Sequence, residues 1–278
     1  TTGVANPYLL LEPSRTNLLP NSEYFGAWTT GTNGTGVSVN VTDNYSTSPE
    51  GVDNAARLQM NKGAGTSSSD YAFIEHSFTN AGIGSNSIYM KSNDGNTYDV
   101  ALRNVNFEVK SVGSEWTRFT LENQSNLQSF QLILRGGYGT DDSIDILIYG
   151  AQAELGSYPT SYIPTYSVSA TRAKDDCSKT DASDVIGQTE GTIFFEWDYQ
   201  NIGSSGGNIV ISLDGGGGKE LYFWVQGNGN YFYDVYNSSF QVSITGSIGS
   251  FGTKKIALAY KNNDFALYIN GVLAGTDT

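Results

Sequence analysis

The sequence predicts an all-β protein made of two β-sandwiches in tandem. Short runs of alternating apolar and polar residues recur along the chain, and no segment sustains the i, i+3, i+4, i+7 apolar spacing of a helix. The 278 residues include 33 glycines, 18 tyrosines and 13 phenylalanines, a composition typical of many strands joined by tight turns. Near the middle, prolines 159 and 164 remove backbone donors, so a strand cannot continue through this region.

The first half is predicted to contain an extended N-terminal arm and about eight strands. Leu9–Leu11 and Leu18-Leu19 are apolar anchors in this arm, and a turn rich in Gly, Thr and Asn follows at 30–36. This number of strands in about 120 residues predicts a jelly-roll sandwich. The predicted strands are Val37–Val41, Ala56–Met60, Tyr71–Phe78, Ser87–Lys91, Tyr98–Val109, Trp116–Leu121, Phe130–Arg135 and Ile144–Ala153.

The second half has longer and more aromatic strands. In Thr192–Tyr199 the aromatic and aliphatic side chains alternate with Glu196 and Asp198, which is the period of a half-buried strand. Asn270-Gly271 predicts a tight hairpin. We therefore expect a first sandwich at 1–160, an extended surface linker at 161–180 and a second sandwich at 181–278. The other predicted strands of the second half are Asn208–Leu213, Glu220–Gln226, Asn230–Tyr236, Phe240–Ile244, Lys254–Lys261 and Asp264–Ile269.

The formal net charge of −13 limits the classes of partner. An acidic surface repels phosphate backbones and anionic lipid, so we expect neither nucleic-acid binding nor membrane insertion. No apolar run reaches the ~18 residues of a membrane span. Neutral polyhydroxylated ligands suit such a surface better, although solubility alone is the more common reason for such acidity.

Catalytic constellations are missing from the sequence, so we expect a protein that is not an enzyme. His76 is the only histidine and Cys177 the only cysteine, which leaves no partner for a Ser-His-Asp triad or a zinc site. The acidic pairs, such as Asp141-Asp142 and Asp175-Asp176, are typical of solvated turns rather than of glycosidase carboxylates.

Aromatic residues are the best candidates for ligand binding. Tyr222 and Trp224 alternate with core positions in one strand, and Asp234 lies on one face of the next strand. Tyr138 is predicted at a loop tip. Sugar rings stack on flat aromatic faces beside polar side chains, so these four residues are our candidate carbohydrate-binding residues. Packing against the first domain or against another protomer explains the same pattern equally well.

Two motifs resemble a known family. The run LLLEPSRTNLLPNSEYF at 9–25, followed by Trp28, and the run YGAQAELGSYPTSYIPT at 149–165, followed by ATRAKD at 170–175, resemble the opening and closing signatures of a carbohydrate-binding-module-like sandwich in tailed-phage virion proteins. Asn21–Phe25 also resembles part of a structural calcium site in some carbohydrate-binding modules. That resemblance implies possible calcium ligation by Glu23, although Gly150-Ala151 replaces the aspartates expected on the last strand.

The second half resembles the concanavalin A-like/laminin-G-like lectin fold. The resemblance lies in Glu190–Trp197 and in Lys255–Val272, which contains the Asn-Gly hairpin. Further strands follow that hairpin in the family, so we expect this sandwich to be incomplete at its C-terminus. Apolar residues of 221–278 should then be poorly buried in an isolated chain.

Together these resemblances imply a non-catalytic phage virion surface protein, extracellular in location, that binds host or environmental glycans. It would be a fibre, tail or capsid appendage that contacts other virion proteins as a homo-oligomer, with a trimer favoured. Two alternatives remain open. In the first alternative, the chain is an ancillary carbohydrate-binding region of a secreted polysaccharide-degrading enzyme. In the second, it is a purely structural virion assembly protein.

Overall fold

A computed structural model describes residues 10–79, 82–187, 189–199 and 207–278, with the backbone alone at 207–209. The predicted arm before residue 10 lies outside these residues. The described chain is almost wholly β-strand, with short 3-10 turns at Phe25–Ala27 and Ala182–Asp184 and no α-helix. Two compact units follow one another, Thr1–Cys177 and Ser178–Thr278. The predicted fold class, all-β with two sandwiches in tandem, is confirmed. In the described residues no helix has the length and apolar character needed to cross a bilayer.

The first unit contains two five-stranded antiparallel sheets. Sheet I has the strand order β2-β5-β10-β7-β8, sheet II has the order β3-β4-β11-β6-β9, and β1 pairs with β12. Both sheets bury one face in a shared core and present the other face outward. The strands are β1 Arg15–Asn17, β2 Thr29–Asn33, β3 Ser38–Ser46, β4 Ala55–Asn61, β5 Tyr71–Ser77, β6 Gly84–Ser92, β7 Tyr98–Arg103, β8 Phe107–Val112, β9 Thr117–Gln124, β10 Ser129–Arg135, β11 Ser143–Leu155 and β12 Ala170–Arg172.

The alternation of apolar residues explains this core. Ile74, Leu102 and Leu132 point inward from sheet I, while Leu58 and Ile146 point inward from sheet II, and all five are fully buried. A strand places successive side chains on opposite faces, so the residues between them line the outward surfaces. The alternation of residues in the sequence therefore determines which side chains of this unit point outward.

The single strand predicted at Tyr98–Val109 is instead two strands, β7 and β8, joined by a turn. Asn104 lies in this turn and is buried. Its side-chain amide donates to the carbonyl of Asn126, and its oxygen accepts from the backbone nitrogens of Gln128 and Ser129. These long-range bonds hold the chain reversal, which local alternation does not reveal.

Part of the predicted linker at 161–180 packs into the first unit rather than running over its surface. Thr160, Ile163 and Thr165 are buried, and β12 pairs with β1. The buried Glu154 accepts bonds from the backbone nitrogen and hydroxyl of Thr160. These bonds attach the proline-containing segment to the sandwich, so the first unit extends beyond residue 160.

The second unit contains two four-stranded antiparallel sheets. Sheet III has the strand order β13-β18-β19-β20 and sheet IV has the order β14-β15-β16-β17. Asn270 adopts φ 52° and Gly271 φ 79° in the predicted hairpin between β19 and β20. The strands are β13 Glu190–Tyr199, β14 Gly207–Asp214, β15 Lys219–Gln226, β16 Asn230–Asn237, β17 Phe240–Ser247, β18 Gly252–Lys261, β19 Asp264–Ile269 and β20 Val272–Asp277.

Our expectation that apolar residues of 221–278 would be poorly buried is wrong. Phe223, Tyr233, Ile256, Leu258 and Leu267 are fully buried. Sheets III and IV contribute inward side chains to one core, and this pairing removes the apolar faces of both sheets from water. The exposed apolar residues of this segment include Phe240, Phe251, Tyr268, Val272 and Leu273.

Candidate functional site

An aromatic platform lies on the outward face of sheet IV. Trp224 of β15 is directly opposite Phe232 of β16, and both side chains are half-buried. Their ring centres are 4.1 Å apart and the ring planes are inclined by 13°. The neighbours Phe223 and Tyr233 point into the core, so alternation directs Trp224 and Phe232 outward. The two rings are therefore stacked face to face, and each covers one face of the other.

Asp234 holds the platform in place from the same face. Its carboxylate accepts a 2.7 Å hydrogen bond from Nε1 of Trp224 and a 2.6 Å bond from Oγ of Ser243, while the residue is only 3% exposed. Tyr222 is opposite Asp234 in the ladder. Burial, followed by the negative charge of Asp234, raises the pKa of Tyr222. Three of the predicted site residues, Tyr222, Trp224 and Asp234, are therefore brought together.

Asp234 has a structural role that the sequence analysis did not predict. Both carboxylate oxygens already accept hydrogen bonds from neighbouring side chains. An indole N–H at a partly buried position needs an acceptor, because an unpaired donor costs free energy. Asp234 therefore orients the Trp224 ring, and Phe232 is the platform residue that sequence reasoning missed.

Tyr138, the fourth predicted residue, belongs to the first unit and to a different cluster. Its backbone nitrogen donates to the carbonyl of Arg135, and its half-buried ring packs against Phe107 with centres 4.5 Å apart. The Arg135 guanidinium lies 5.9 Å from the Tyr138 ring centre. Tyr138 is thus packed between neighbouring side chains rather than isolated at a loop tip.

Glu23, the predicted calcium ligand, is engaged by neutral donors. Its carboxylate accepts hydrogen bonds from the hydroxyl of Tyr162 at 2.9 Å and from the side-chain amide of Asn54 at 3.1 Å. Tyr149 contributes a longer bond of 3.4 Å. Among the described residues, no group of three or more His, Cys, Asp and Glu is placed to hold a metal ion. The acidic ligand set that calcium prefers is therefore not assembled around Glu23.

The outward face of sheet II carries charged and aromatic residues that the sequence analysis did not single out. The Arg57 guanidinium pairs with both oxygens of Asp145 and lies 5.0 Å from the ring centre of Tyr45. The bond from Arg57 holds the pKa of Asp145 below its ordinary value. On the same sheet Arg118 lies 5.6 Å from the ring centre of Tyr89. In the sequence, these residues are recognisable as charged residues at outward-facing strand positions.

His76, the residue on which a catalytic triad would depend, is half-buried and packs against Trp28 of the first unit. Its ring meets Trp28 edge-on with centres 5.8 Å apart. Burial lowers its pKa below the ordinary value, which favours the neutral ring. These contacts describe a packing role for His76.

Comparisons with known proteins found matches among solved structures only. No family model matches the sequence, and no curated protein matches it. One similar solved structure is a family 11 carbohydrate-binding module from Clostridium thermocellum in complex with a β-1,3-1,4-mixed-linked tetrasaccharide, at 11% identity and TM-score 0.36, covering 51% of this chain and 96% of that one.

Two further neighbours are larger proteins. They are the N-terminal carbohydrate-binding and hydrolase modules of Clostridium thermocellum endo-1,4-β-D-xylanase 10B with xylohexaose, at 16% identity and TM-score 0.34, and the enzymatically active domain of bacteriophage CBA120 tailspike protein 4, at 16% identity and TM-score 0.31. They match 55% and 49% of this chain, which spans 30% and 21% of theirs.

Proposed function

We propose that this protein binds polysaccharide without cleaving it, through the platform of Trp224 and Phe232 with Tyr222 and Asp234 beside it. The observation that carries the proposal is the stacked contact of the Trp224 and Phe232 rings on an outward sheet face. The C–H face of a sugar ring stacks on a flat aromatic face, and each ring of this pair leaves one face uncovered by the other. The platform is held by Asp234 before any ligand arrives, which lowers the ordering cost of binding.

Polar groups beside the platform suit sugar hydroxyls. Ser243 and Thr245 on β17 are exposed and lie opposite Asp234 and Phe232 in the ladder. The Ser243 hydroxyl donates to Asp234 and can still accept a hydrogen bond, while the hydroxyls of Thr245 and Tyr222 can donate and accept. An aromatic centre with a polar rim is the combination that a neutral glycan site needs.

The absence of cleavage is part of the proposal. Glycoside hydrolysis generally uses two carboxyl groups that flank the scissile bond. Among Tyr222, Trp224, Phe232 and Asp234 the one carboxylate is that of Asp234, which is buried and bonded to Trp224 and Ser243. These four residues can hold a sugar, and their one carboxylate is already engaged in orienting Trp224.

We further propose that the protein acts at a virion surface, as a fibre, tail or capsid appendage of a tailed phage that assembles as a homo-oligomer. This rests on the resemblance of residues 9–25 and 149–175 to virion proteins. A single aromatic site adds about 0.5–1.5 kcal/mol beyond area burial if sugar stacking resembles aromatic pairing. Several copies on one appendage would raise the effective affinity of such weak sites.

A glycan array with the assembled protein tests the platform. We expect the parent to bind at least one neutral polysaccharide and Trp224→Ala to reduce the affinity by about tenfold or more, because the stacking surface is removed. Phe194→Ala is the matched control, since Phe194 is a 61% exposed aromatic residue on the outward face of sheet III.

Three results would contradict the proposal or redirect it. No glycan bound by the parent, or equal loss in Trp224→Ala and Phe194→Ala, would remove the platform assignment. Release of new reducing ends from a bound polymer would show an enzyme. A loss of oligomer mass in Trp224→Ala without any glycan binding by the parent would favour the purely structural alternative, in which this face is a protomer interface.

A further inference from the structure

We infer that the outward face of sheet I carries a second site, which binds an acidic polysaccharide through Arg103, Phe107, Arg135 and Tyr138. We call these four residues the arginine cluster. The inference shares with the proposed function only the class of ligand, a polysaccharide, and uses different residues in a different unit. Its ligand is distinguished by a negative substituent on the sugar, either a uronic acid carboxylate or a sulfate ester.

The cluster is organised around one aromatic ring. Phe107 of β8 is opposite Arg103 of β7 in the ladder. The guanidinium carbons of Arg103 and Arg135 lie 5.0 and 4.8 Å from the Phe107 ring centre, and the Tyr138 ring packs on Phe107 at 4.5 Å. The two cations are therefore at most about 10 Å apart. Cation–π contacts of this kind fix a guanidinium while leaving its edge free for an anion.

Neither cation of the cluster is neutralised by a carboxylate. The chain has 28 acidic and 15 basic residues, yet none of the ion pairs in the described part of the chain includes Arg103 or Arg135. Arg57 and Arg172, by contrast, each pair with an acid. Two unpaired guanidinium groups on one ring are a local positive site in an acidic protein.

Hydrogen-bond donors of the cluster also remain unused. Arg103 donates from Nη1 to Gln131 at 3.3 Å, while its Nε is buried and lacks a partner. Arg135 donates from Nε to the carbonyl of Ser68 at 2.7 Å. Each guanidinium has five N–H groups, so most donors are left for a ligand.

The ligand chemistry follows from these donors and rings. A guanidinium matches the geometry of a carboxylate or a sulfate, and the exposed part of the Phe107–Tyr138 pair can take the apolar face of the same sugar. Any polyanion also meets the net charge of −13, and this repulsion is screened for protein charges more than about 8 Å from the ligand at physiological salt.

Binding to matched charged and neutral polymers tests this inference. The probes are polygalacturonate with its methyl ester, and dextran sulfate with dextran. We expect the intact protein to bind at least one charged polymer about tenfold or more tightly than its neutral partner, and added salt to weaken this binding. Arg103→Met and Arg135→Met keep an apolar stem near Phe107 and should each lose about tenfold in affinity.

The control is Arg118→Met, which removes the same charge from an arginine that lies over Tyr89 on sheet II. It should retain the affinity of the parent, and so should Trp224→Ala, which separates this site from the platform. Arg103→Lys serves if the methionine variants unfold. It keeps the charge but not the planar donor fork, and we expect an intermediate loss.

The inference is overturned if no charged polymer binds, or if each charged polymer and its neutral partner bind equally. It is also overturned if Arg118→Met loses as much affinity as Arg103→Met, since binding would then reflect net charge. If Arg103→Lys and Arg135→Met each keep the affinity of the parent, the arginine cluster is not the binding site. Loss confined to Trp224→Ala would transfer the acidic ligand to the platform.

Discussion

A single carboxylate decides the geometry of the platform. Asp234 is 3% exposed, and it remains compatible with burial because Trp224 and Ser243 both donate to it. The bond from the indole fixes the side chain that stacks on Phe232. At the scale of the residue, therefore, a polar contact beneath the surface determines how an apolar surface is presented.

Asp94 offers a test of the hydrogen bonding at the scale of one side chain. The Tyr98 hydroxyl donates to Asp94 at 2.6 Å, and with the backbone nitrogen of Asn96 it lowers the pKa of Asp94 to about 2. We expect Tyr98→Phe to raise this pKa toward its ordinary value of 3.8, because the largest stabilising contact to the charged form is removed. Carboxyl carbon shifts in an NMR pH titration measure the change.

The sign of the pH dependence follows from the same lowered pKa. A carboxyl whose pKa is lower in the folded state adds stability at pH values above its unfolded pKa, and this contribution is lost as pH falls from about 4 toward about 2. In Tyr98→Phe this loss should become smaller. A pKa of Asp94 that does not move in Tyr98→Phe would show that the hydroxyl is not its main partner.

At the scale of the element, the two motif segments close the first sandwich. β1 and β12 pair in register, and Glu12 forms an ion pair with Arg172. Asn17, the last residue of β1, is fully buried. Its amide donates to the carbonyls of Ala151 and Ile163, and its oxygen accepts from the backbone nitrogens of Leu19 and Ala153. These motif residues thus have a structural role in joining the ends of the unit.

Asn17→Ala should destabilise the first unit by roughly 3 kcal/mol, because it leaves several buried backbone groups without partners. Urea unfolding monitored by tryptophan fluorescence measures this loss. Asn40→Ala is the control, since Asn40 is exposed on β3. An equal, small effect of both substitutions would contradict the closing role of Asn17.

Strand alternation was enough to predict most elements, and it failed where tertiary bonds override it. The split between β7 and β8 depends on Asn104, whose partners Asn126 and Ser129 are distant in sequence. The packing of residues 160–165 depends on Glu154 and Gln152, whose side chains accept hydrogen bonds from the backbone nitrogens of this segment. Neither feature can be predicted from the alternation of residues along one strand.

At the scale of the whole molecule, each unit has its own core, and residues 173–181 between them are exposed. We expect trypsin to cut the native chain first after Lys174 or Lys179, because exposed irregular segments are the preferred sites of proteolysis. Mass spectrometry of early digests identifies the cut. Lys174→Gln with Lys179→Gln should slow this cleavage, whereas a first cut after Lys219, which begins β15 beside the glycine-rich turn, would contradict the prediction.

Residue alternation is enough to predict the fold class, the period-two faces of the strands and the outward direction of Trp224, because alternation in a strand is a local property. The residues around Tyr138 likewise predict a turn. Three features follow from packing in three dimensions: Trp224 stacks on Phe232, Asp234 anchors the indole, and Phe107 brings Arg103 and Arg135 together. Strand register and the meeting of distant turns are set by packing across the whole sheet, and a local pattern does not encode them.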